Sequence, residues 1–416
     1  MLVSMVSTRL IEELDLERAR RAVEGATVRT PVVLSEDLGE LAGGPVLLKA
    51  ESLQRTGSFK LRGALSKVDA LGELASAGLV AASAGNHGRA VAKAAKLRGI
   101  SCEVFMPRDA PVSKVVAVER LGARVNLGGG SVEEALALAV ERAESGAAAL
   151  VHPFDDPDVI AGQATVGLEL ADDVRDLARV VVPVGGGGLA SGIGIALRQA
   201  GLRVRLVGIQ AEACAPYAEA LRCSVSTPRS PTELVAPATA TIADGIALKR
   251  PGRVTLPLLE ELMDELHTVT EDEIADAMVF LAESAKLVSE GAGAVAVAAL
   301  MSGRLAPAHG TTVAVVSGGN VDGGLLGAIL RRRETAEGRR VRLLTRIPDR
   351  PGGLAELLNL IAATRANLLT LSHVREAIPL HVRETGVELL LETRGREHTE
   401  ELVRTLEREG YEVTVE

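Results

Sequence analysis

The sequence predicts an α/β protein with a mostly parallel sheet covered by helices, followed by a smaller domain of strands and helices. Short apolar runs alternate with helical patterns from about residue 15 to residue 330, which is typical of parallel strands buried between helices. The length of 416 residues exceeds the roughly 250–300 residues that a single core serves. A charged stretch without an apolar face, residues 331–340, predicts a linker between a first domain at 1–330 and a second at 341–416.

Six apolar runs are the predicted strands on which the first-domain assignment rests. They are Pro45-Val46-Leu47-Leu48, Leu79-Val80-Ala81-Ala82, Cys102-Glu103-Val104-Phe105-Met106, Val180-Val181-Val182-Pro183-Val184, Arg205-Leu206-Val207-Gly208-Ile209 and Thr312-Val313-Ala314-Val315-Val316. Each run leads into glycine or polar residues at its C-terminal end. Open α/β sheets bind ligands at that end, so these loops are candidate sites.

The second domain has its own regular pattern. Strands are predicted at 341–347, 368–374, 387–392 and 411–415, and helices at 353–366 and 399–409. The order is βαββαβ, the split βαβ arrangement of ferredoxin-like domains. In the first of these helices Leu354, Leu357, Leu358 and Ile361 recur at helical spacing, so one face should pack on a sheet.

Charge and cysteine content limit the possible partners and the cellular compartment. The 46 Lys and Arg residues against 55 Asp and Glu residues give a net charge of −9, which argues against a nucleic acid or an anionic membrane as the main partner. The three cysteines, Cys102, Cys214 and Cys223, are an odd number without metal-ligand spacing. They predict reduced thiols in a cytosolic protein.

Neither a secretory signal nor a membrane span is predicted. Charges at Arg9, Glu12 and Glu13 precede any apolar segment long enough for a signal peptide. The longest apolar run, residues 292–301, is far shorter than the roughly 18 residues that a spanning helix needs. We therefore expect a cytoplasmic protein.

The segment Ser58-Phe59-Lys60-Leu61-Arg62-Gly63-Ala64 places a lysine beside one of only four phenylalanines. A lysine that forms an imine must be desolvated enough to be a neutral amine, and a neighbouring ring can cover a flat cofactor. Taken alone, the segment is explained equally well by a surface helix with a solvated lysine and arginine.

The segment Ser83-Ala84-Gly85-Asn86-His87-Gly88 follows a predicted strand and begins a predicted helix. Its backbone amides are therefore placed to bind an anion such as a carboxylate. Asn86 is a candidate hydrogen-bond donor to a cofactor hydroxyl, and His87 is a weaker candidate for a catalytic base. The alternative is a helix start that is simply rich in small residues.

The segment Gly185-Gly186-Gly187-Gly188-Leu189 also lies between a predicted strand and a helix, where backbone amides bind phosphate. A second interpretation remains open at this point. Gly185, Gly187 and Ala190 satisfy the G-x-G-x-x-A pattern, and Glu212 ends a later strand where a dinucleotide-binding protein places an acid. The segment alone fits a nicotinamide dehydrogenase as well as it fits a monophosphate cofactor.

Two further turns are candidate sites. Ser317-Gly318-Gly319-Asn320 closes the last strand of the first domain, where a neutral hydroxyl can meet a ring nitrogen. Asp349-Arg350-Pro351-Gly352-Gly353-Leu354 joins a strand to a helix and offers amides to the carboxylate of a small zwitterion. An ordinary turn explains the first segment and a capped helix start explains the second.

Taken in order, the four first-domain motifs closely resemble those of the threonine/serine dehydratases, pyridoxal-phosphate enzymes of fold type II. Ala243-Asp244-Gly245-Ile246-Ala247 and Ser289-Glu290-Gly291-Ala292-Gly293-Ala294 extend the resemblance, which spans nearly all of residues 10–330. Residues 341–416 resemble an ACT domain, a regulatory module that binds amino acids. The resemblance implies two open, twisted sheet subdomains followed by a ferredoxin-like ACT domain.

The resemblance also implies residue roles. Lys60 would hold pyridoxal 5'-phosphate as an internal aldimine, Phe59 would lie against the ring, Asn86 would bond its hydroxyl, and Ser317 would face its nitrogen. The phosphate would bind amides of Gly185, Gly186, Gly187, Gly188 and Leu189. The substrate carboxylate would bind at Ser83, Asn86 and His87.

The implied reaction is elimination from an amino acid. Lys60 would abstract the Cα proton and the β-hydroxyl would leave, so threonine would give 2-oxobutanoate and ammonia, and serine would give pyruvate. Serine racemases of this fold have a second serine where this chain has Ala84, so racemisation should be poor. Ala218 replaces a carboxylate of the cation site of some relatives, and Glu212 alone is a weak ligand, so no metal is predicted.

The resemblance further implies a homodimer or homotetramer and an amino-acid effector, for which isoleucine and valine are both candidates. It leaves a role in isoleucine biosynthesis and a degradative role open. The effector would bind near residues 349–354, where ACT domains pair. Three competing hypotheses remain. They are β-replacement with the same cofactor, as in cysteine synthases, the nicotinamide dehydrogenase, and a non-catalytic amino-acid sensor.

Overall fold

The computed structural model describes residues 2–224, 240–374 and 382–415. It divides the chain into two compact units, Met1–Val321 and Asp322–Glu416. Within the described ranges, no helix is both long enough and apolar enough to cross a bilayer.

The first unit contains ten strands and thirteen helices within the described residues. The strands are β1 Val32–Leu34, β2 Val46–Ala50, β3 Leu79–Ala82, β4 Cys102–Met106, β5 Arg124–Leu127, β6 Ala149–Leu150, β7 Leu177–Pro183, β8 Arg205–Ala211, β9 Glu265–Val269 and β10 Thr311–Val316. All six predicted strands are confirmed. The extra ones are mostly short or partly exposed, so their apolar runs are weak.

The helices of the first unit follow most of these strands. They are α1 Leu2–Glu13, α2 Leu16–Val23, α3 Glu36–Ala42, α4 Lys60–Leu71, α5 Asn86–Arg98, α6 Val112–Glu119, α7 Val132–Glu144, α8 Pro157–Asp173, α9 Gly188–Gln199, α10 Pro216–Ser224, α11 Thr255–Leu262, α12 Glu271–Glu283 and α13 Gly291–Met301. Short 3₁₀ turns occur at Glu51–Leu53, Gly72–Ala77 and Asp244–Ile246.

The strands of the first unit form two sheets. A six-stranded sheet has the order β1-β2-β10-β7-β8-β9, and a four-stranded sheet has the order β5-β4-β3-β6. Among the described strands of the first unit, only β1 pairs antiparallel, against β2, and the others pair in parallel. Since β7 and β10 are neighbours, the glycine-rich loop after β7 and the serine turn after β10 share one edge.

The core of the first unit is aliphatic, as the composition predicts. Helices α8 and α9 contribute fully buried residues such as Ile160 and Ile193 to a cluster that includes Val180 and Val313 of the six-stranded sheet. A second cluster packs α4 and α5 against the four-stranded sheet. Each sheet therefore has its own hydrophobic core.

Helix α4 is anchored by buried ion pairs. Arg62, which is 0% exposed, donates to Glu51 at 2.8 and 2.9 Å and to Glu169 at 2.7 and 3.0 Å. The ammonium of Lys49 donates to Glu169 at 2.6 Å. Buried charges persist only when they are paired in this way. Because Arg62 lies two residues after Lys60, the network fixes the first turn of α4.

The second unit contains three helices and four strands within the described residues. They are α14 Gly323–Ala336, β11 Arg340–Pro348, α15 Gly353–Ala363, β12 Asn367–Val374, β13 Glu384–Glu392, α16 Arg396–Arg408 and β14 Val413–Val415. The sheet is antiparallel with the order β12-β13-β11-β14. The predicted βαββαβ order after residue 340 is therefore present, and Leu357 and Ile361 of α15 are buried as expected.

The stretch 331–340 differs from the expected linker. Residues 331–336 complete helix α14, and the division between the units falls after Val321 instead of near residue 330. The Asp322 side chain accepts the amides of Gly324 and Leu325, which starts the helix upstream of the charged residues. Arg333 donates to Glu337 at 2.6 Å one turn later, so the charges lie on a helix surface.

The buried thiols agree with reduced cysteines where they are described. Cys102 and Cys214 are buried and free. Burial raises the pKa of Cys102 to about 12, so this thiol stays protonated and unreactive. The side chain of Cys223 lies outside the described residues.

Candidate active site

Lys60 is the first residue of α4, and its amine points into the first unit. Its Nζ donates to the Pro153 carbonyl at 2.7 Å and lies 5.2 Å from the centre of the Phe59 ring. Burial lowers the pKa of Lys60 to about 8, although the charge of Glu290 acts in the opposite direction. A substantial fraction of this amine is neutral near pH 8, as a nucleophile requires.

The serine turn after β10 lies beside the lysine segment. The Phe59 amide donates to the Ser317 carbonyl at 3.2 Å, and the Gly319 amide donates to the Gly57 carbonyl at 2.9 Å. Ser58 and Gly318 also form an antiparallel bridge. Two motifs that are far apart in the sequence are thus direct neighbours, with the Ser317 side chain buried.

The turn between β3 and α5 leaves helix amides available. The Gly85 amide donates to the Ser83 hydroxyl at 2.9 Å. Gly85 is the N-cap residue of α5 and has no side chain with which to cap the first amides. A methyl group on Gly85 would meet no heavy atom of the described residues within 4 Å. Free amides beside open space suit a carboxylate.

His87 is held in the interior as a neutral ring. Its Nε2 lies 2.7 Å from the Val151 carbonyl, and the side chain is only 4% exposed. Burial lowers the pKa of His87 to about 3. Because the carbonyl can only accept, Nε2 carries the proton. The side chain fixes the start of α5, so any contact of this residue with a substrate falls to its backbone.

Asn86 lies between two polar side chains that orient its amide. Its Nδ2 donates to Glu290 Oε1 at 2.6 Å, and its Oδ1 accepts from Asn320 Nδ2 at 2.6 Å. Asn320 also donates to the Thr56 carbonyl at 2.9 Å. Among the described residues, no partner is found for the second N–H of Asn86, so this N–H can be donated to a ligand.

Glu290 is a buried carboxylate at the N-cap position of α13. Within the described residues it does not cap its own helix, and its Oε1 accepts from Asn86 instead. Burial and the charge of Asp244 raise the pKa of Glu290 to about 7. The carboxylate also influences Lys60 electrostatically. The pKa values of Glu290 and Lys60 are therefore both shifted toward neutral pH.

Residues 185–188, the glycine loop, connect β7 to α9. Gly187 adopts φ +84°, a conformation that glycine tolerates, and serves as the N-cap of α9 without a side chain. A Cβ on Gly186 would lie 2.1 Å from Cγ of Phe154, so the loop packs directly on that ring. Leu189 is buried in the core beneath. Glycine at these positions permits close packing and leaves helix amides uncapped.

Residues 152–154 connect the lysine to the glycine loop. The Pro153 carbonyl accepts from Lys60, and the next ring, Phe154, contacts Gly186 and also approaches Gly188. His152 packs edge-on against Phe154 with 4.9 Å between ring centres. All four first-domain motifs are thereby brought together through short contacts.

A family model described as a pyridoxal-phosphate-dependent enzyme matches residues 23–318. The chain belongs to this family. The two-sheet α/β architecture is the expected fold type II, and the cofactor is pyridoxal phosphate.

Among pyridoxal-phosphate enzymes, the chain is similar to threonine ammonia-lyases and to a threonine deaminase. An L-threonine ammonia-lyase of Thermotoga maritima is 43% identical over 402 residues, covering 96% of this chain and 98% of the relative. One of Geobacter sulfurreducens is 43% identical over 412 residues, covering 99% and 100%. The crystal structure of a threonine deaminase from T.th. matches with a TM-score of 0.66 and 38% identity, covering 75% of this chain and 99% of that one.

The residues present fit this cofactor. Lys60 supplies an amine of lowered pKa, and the glycine loop supplies uncapped helix amides for a phosphate. Among the described residues, the Ser58 hydroxyl is fully buried without a hydrogen-bond partner, next to the lysine. Since the family uses pyridoxal phosphate, the pattern of Gly185, Gly187 and Ala190 is explained by a phosphate-binding loop and does not require a dinucleotide.

Sequence reasoning did not assign several residues of this site. Glu290, Asn320 and Pro153 orient Asn86 or Lys60, and Phe154 supports the glycine loop. Phe154 could have been found from the scarcity of aromatics, since it is one of only four phenylalanines. Glu290 and Asn320 lie within quoted motifs, but their contact with Asn86 is long-range.

Proposed function

We propose that this chain is an L-threonine ammonia-lyase that converts L-threonine to 2-oxobutanoate and ammonia and also converts L-serine to pyruvate and ammonia. The observation that carries the proposal is a half-buried Lys60 of lowered pKa, whose segment is connected by short contacts to the glycine loop and to the serine turn of Ser317, which in turn binds Asn86. Two relatives that match over almost their full lengths are L-threonine ammonia-lyases.

The proposed cofactor contacts are those of the sequence motifs. Lys60 binds the cofactor covalently, Phe59 lies beside the ring, and Asn86 donates its free N–H to the ring hydroxyl. Ser317 faces the ring nitrogen. The backbone amides of Gly185, Gly186, Gly187, Gly188 and Leu189 bind the phosphate.

The substrate carboxylate binds where α5 begins. Uncapped amides at Asn86 and His87, together with the Ser83 hydroxyl, supply the donors. His87 contributes through its backbone because its ring is bonded to Val151. The start of α5 thus binds the carboxylate, a group that every amino-acid substrate has.

The lysine performs the proton transfer. When bound, pyridoxal phosphate supplies an electron sink for the negative charge that develops at the substrate Cα. Nζ of Lys60 accepts the Cα proton, and its lowered pKa keeps it available as a neutral base near pH 8. Loss of the β-hydroxyl and hydrolysis of the product enamine complete the conversion to keto acid and ammonia.

Steady-state formation of keto acid from threonine and serine tests the activity. Lys60→Ala should be inactive and colourless, and borohydride reduction of the holoenzyme should place the cofactor label on Lys60. A label on another residue, or turnover by Lys60→Ala, would overturn the assignment. Product formation from O-acetylserine and sulfide without keto acid would favour β-replacement, and binding of nicotinamide dinucleotides would favour the dehydrogenase.

We further propose that the second unit includes an ACT domain that binds an amino-acid effector at residues 349–354. The βαββαβ order and the antiparallel sheet support this assignment. Gly352 adopts φ +95° and is the N-cap of α15, so its turn leaves helix amides uncapped. The two ammonia-lyase relatives cover 96% and 99% of the chain, which includes this unit.

The effector site can be tested in the full-length chain. Gly352→Val strains a left-handed residue, and Gly410→Val is a matched control because both glycines have φ near +90° and open space at Cβ. Threonine turnover is measured with and without isoleucine or valine. Loss of the response in Gly352→Val alone is expected. A response retained by Gly352→Val would place the effector elsewhere.

The proposal also includes a cytoplasmic location and a homodimeric or homotetrameric assembly. The location is supported by the free, buried thiols of Cys102 and Cys214. Light scattering of the purified chain measures the assembly, and a monomer would contradict this part of the proposal.

A further inference from the structure

Two hydroxyl groups bind the carbonyl of Gly186 in the glycine loop. The Tyr217 hydroxyl donates to it at 2.7 Å, and the Thr255 hydroxyl donates to it at 2.8 Å. The two hydroxyls are also 2.7 Å from each other. Each hydroxyl has a single proton, so at most two of these three contacts are full hydrogen bonds at one time, and the Gly186 carbonyl accepts from at least one member of the pair from α10 and α11.

The pair is itself fixed in place. Tyr217 is 0% exposed, and its oxygen accepts from the Gly252 amide at 2.9 Å. The Asp155 carboxylate accepts from the amides of Val254 and Thr255 at 2.8 and 3.2 Å, which holds the start of α11. Burial raises the pKa of Tyr217, so the phenol keeps the proton that it donates.

The pair determines the orientation of the next peptide group. Peptide bonds of the described residues are all trans, so the N–H of Gly187 points opposite to the C=O of Gly186. A Cβ on Gly187 would lie 2.9 Å from both the Tyr217 oxygen and Cβ of Thr255, so the backbone rests directly on the pair. The Gly187 amide is therefore directed away from the two hydroxyls.

We propose that Tyr217 and Thr255 are positioning residues that aim the Gly187 amide at the cofactor phosphate. The inference rests on the proposed function, in which the glycine loop binds that phosphate. A peptide group left without these bonds can rotate, and the amide then loses its alignment before the ligand arrives. Each hydroxyl alone still restrains the carbonyl, so removal of both has the larger effect.

Pyridoxal and pyridoxal phosphate differ only in the phosphate, which makes them a direct probe. Dissociation constants for both are measured by calorimetry with cofactor-free, full-length protein. The variants are Tyr217→Phe, Thr255→Val and the double variant. Tyr411→Phe is the matched control, because the chain has only these two tyrosines and Tyr411 lies in the other unit.

The expected result is a selective loss of phosphate binding. Each single variant should weaken pyridoxal phosphate about fivefold, which corresponds to one lost hydrogen bond, and the double variant should weaken it well over tenfold. Affinity for pyridoxal should stay within about twofold of wild type. Tyr411→Phe should leave both affinities unchanged.

Three outcomes distinguish failure of this inference from failure of the proposed phosphate site at the glycine loop. Equal weakening of both ligands would mean that the pair only supports the fold, and unchanged affinities for both ligands in the double variant would mean that the pair does not aim the amide. Either result overturns the inference while the proposed function stands. A wild-type protein that does not prefer pyridoxal phosphate over pyridoxal would overturn the phosphate role of the glycine loop itself. If Tyr217→Phe does not fold, Thr255→Val provides the same comparison.

Discussion

Two lysines of α4 should differ sharply in reactivity. Burial lowers the pKa of Lys60 to about 8. Burial acts in the same direction on Lys67, but hydrogen bonds and charge from Asp156 and Asp158 outweigh it and raise the pKa of that amine. At pH 7.5 a pKa near 8 leaves about a quarter of the amines neutral, against about one in a thousand at the ordinary 10.5. The neutral fraction therefore rises about 200-fold.

Limited labelling of the cofactor-free, full-length protein with fluorodinitrobenzene between pH 6 and 10, followed by peptide mass mapping, measures both lysines in one sample. The label on Lys60 should reach half its maximum near pH 8, whereas Lys67 should still be rising at pH 10. In Glu290→Gln the midpoint for Lys60 should fall, because the Glu290 charge raises the pKa of Lys60. Coincident profiles for the two lysines, or a midpoint for Lys60 at pH 10 or above, would refute the reasoning.

Three further substitutions test the packing around the site. Arg62→Met should reduce the free energy of unfolding by about 3–5 kcal/mol in urea titrations, because the buried Glu51 carboxylate loses its ion-pair partner and Glu169 keeps only Lys49, and a loss below about 1 kcal/mol would contradict this. Gly186→Ala places a Cβ 2.1 Å from the Phe154 ring and should weaken binding of pyridoxal phosphate in calorimetry, where an unchanged affinity would show that the loop adapts. Burial raises the pKa of Glu290 from 4.5 to about 7. The contribution of its protonated side chain to the free energy of unfolding is therefore fully present below pH 4.5 and is lost as the pH rises through 7. Glu290→Gln should therefore gain stability relative to wild type between pH 5 and pH 8, on the order of 2 kcal/mol, and parallel pH curves would contradict this.

Local sequence patterns predict the helices and strands better than they predict the contacts between these elements. The run 79–82 becomes β3 with its predicted ends, and the run at 312–316 differs from β10 by one residue, because continuous apolar runs are buried on both faces. The second half of helix α14 lies in the predicted linker, although Asp322 offers a capping side chain. This half is charged and has no apolar face, and Ile329 is the buried residue of the helix.

Contacts between distant motifs follow from strand order, which local patterns do not specify. The pairing of β10 with both β2 and β7 places the serine turn beside the lysine segment and the glycine loop. The Asn86–Glu290 bond joins two helix starts, and neither helix pattern contains information about the other. Tyr217 is conspicuous as one of two tyrosines, yet only the folded chain shows that its oxygen meets Gly186.

The ion pairs around Arg62 have a consequence for the motion of the reactive amine. Since the Arg62 side chain, two residues after Lys60, is bonded to carboxylates from a 3₁₀ turn and from α8, the ion pairs restrain the main chain at the start of α4. Any travel of Nζ between the Pro153 carbonyl and a bound amino acid must then come from rotation about the side-chain methylene bonds. In the proposed reaction, rotation of this one side chain would therefore carry the amine to the substrate while the ion pairs hold the start of α4 in place.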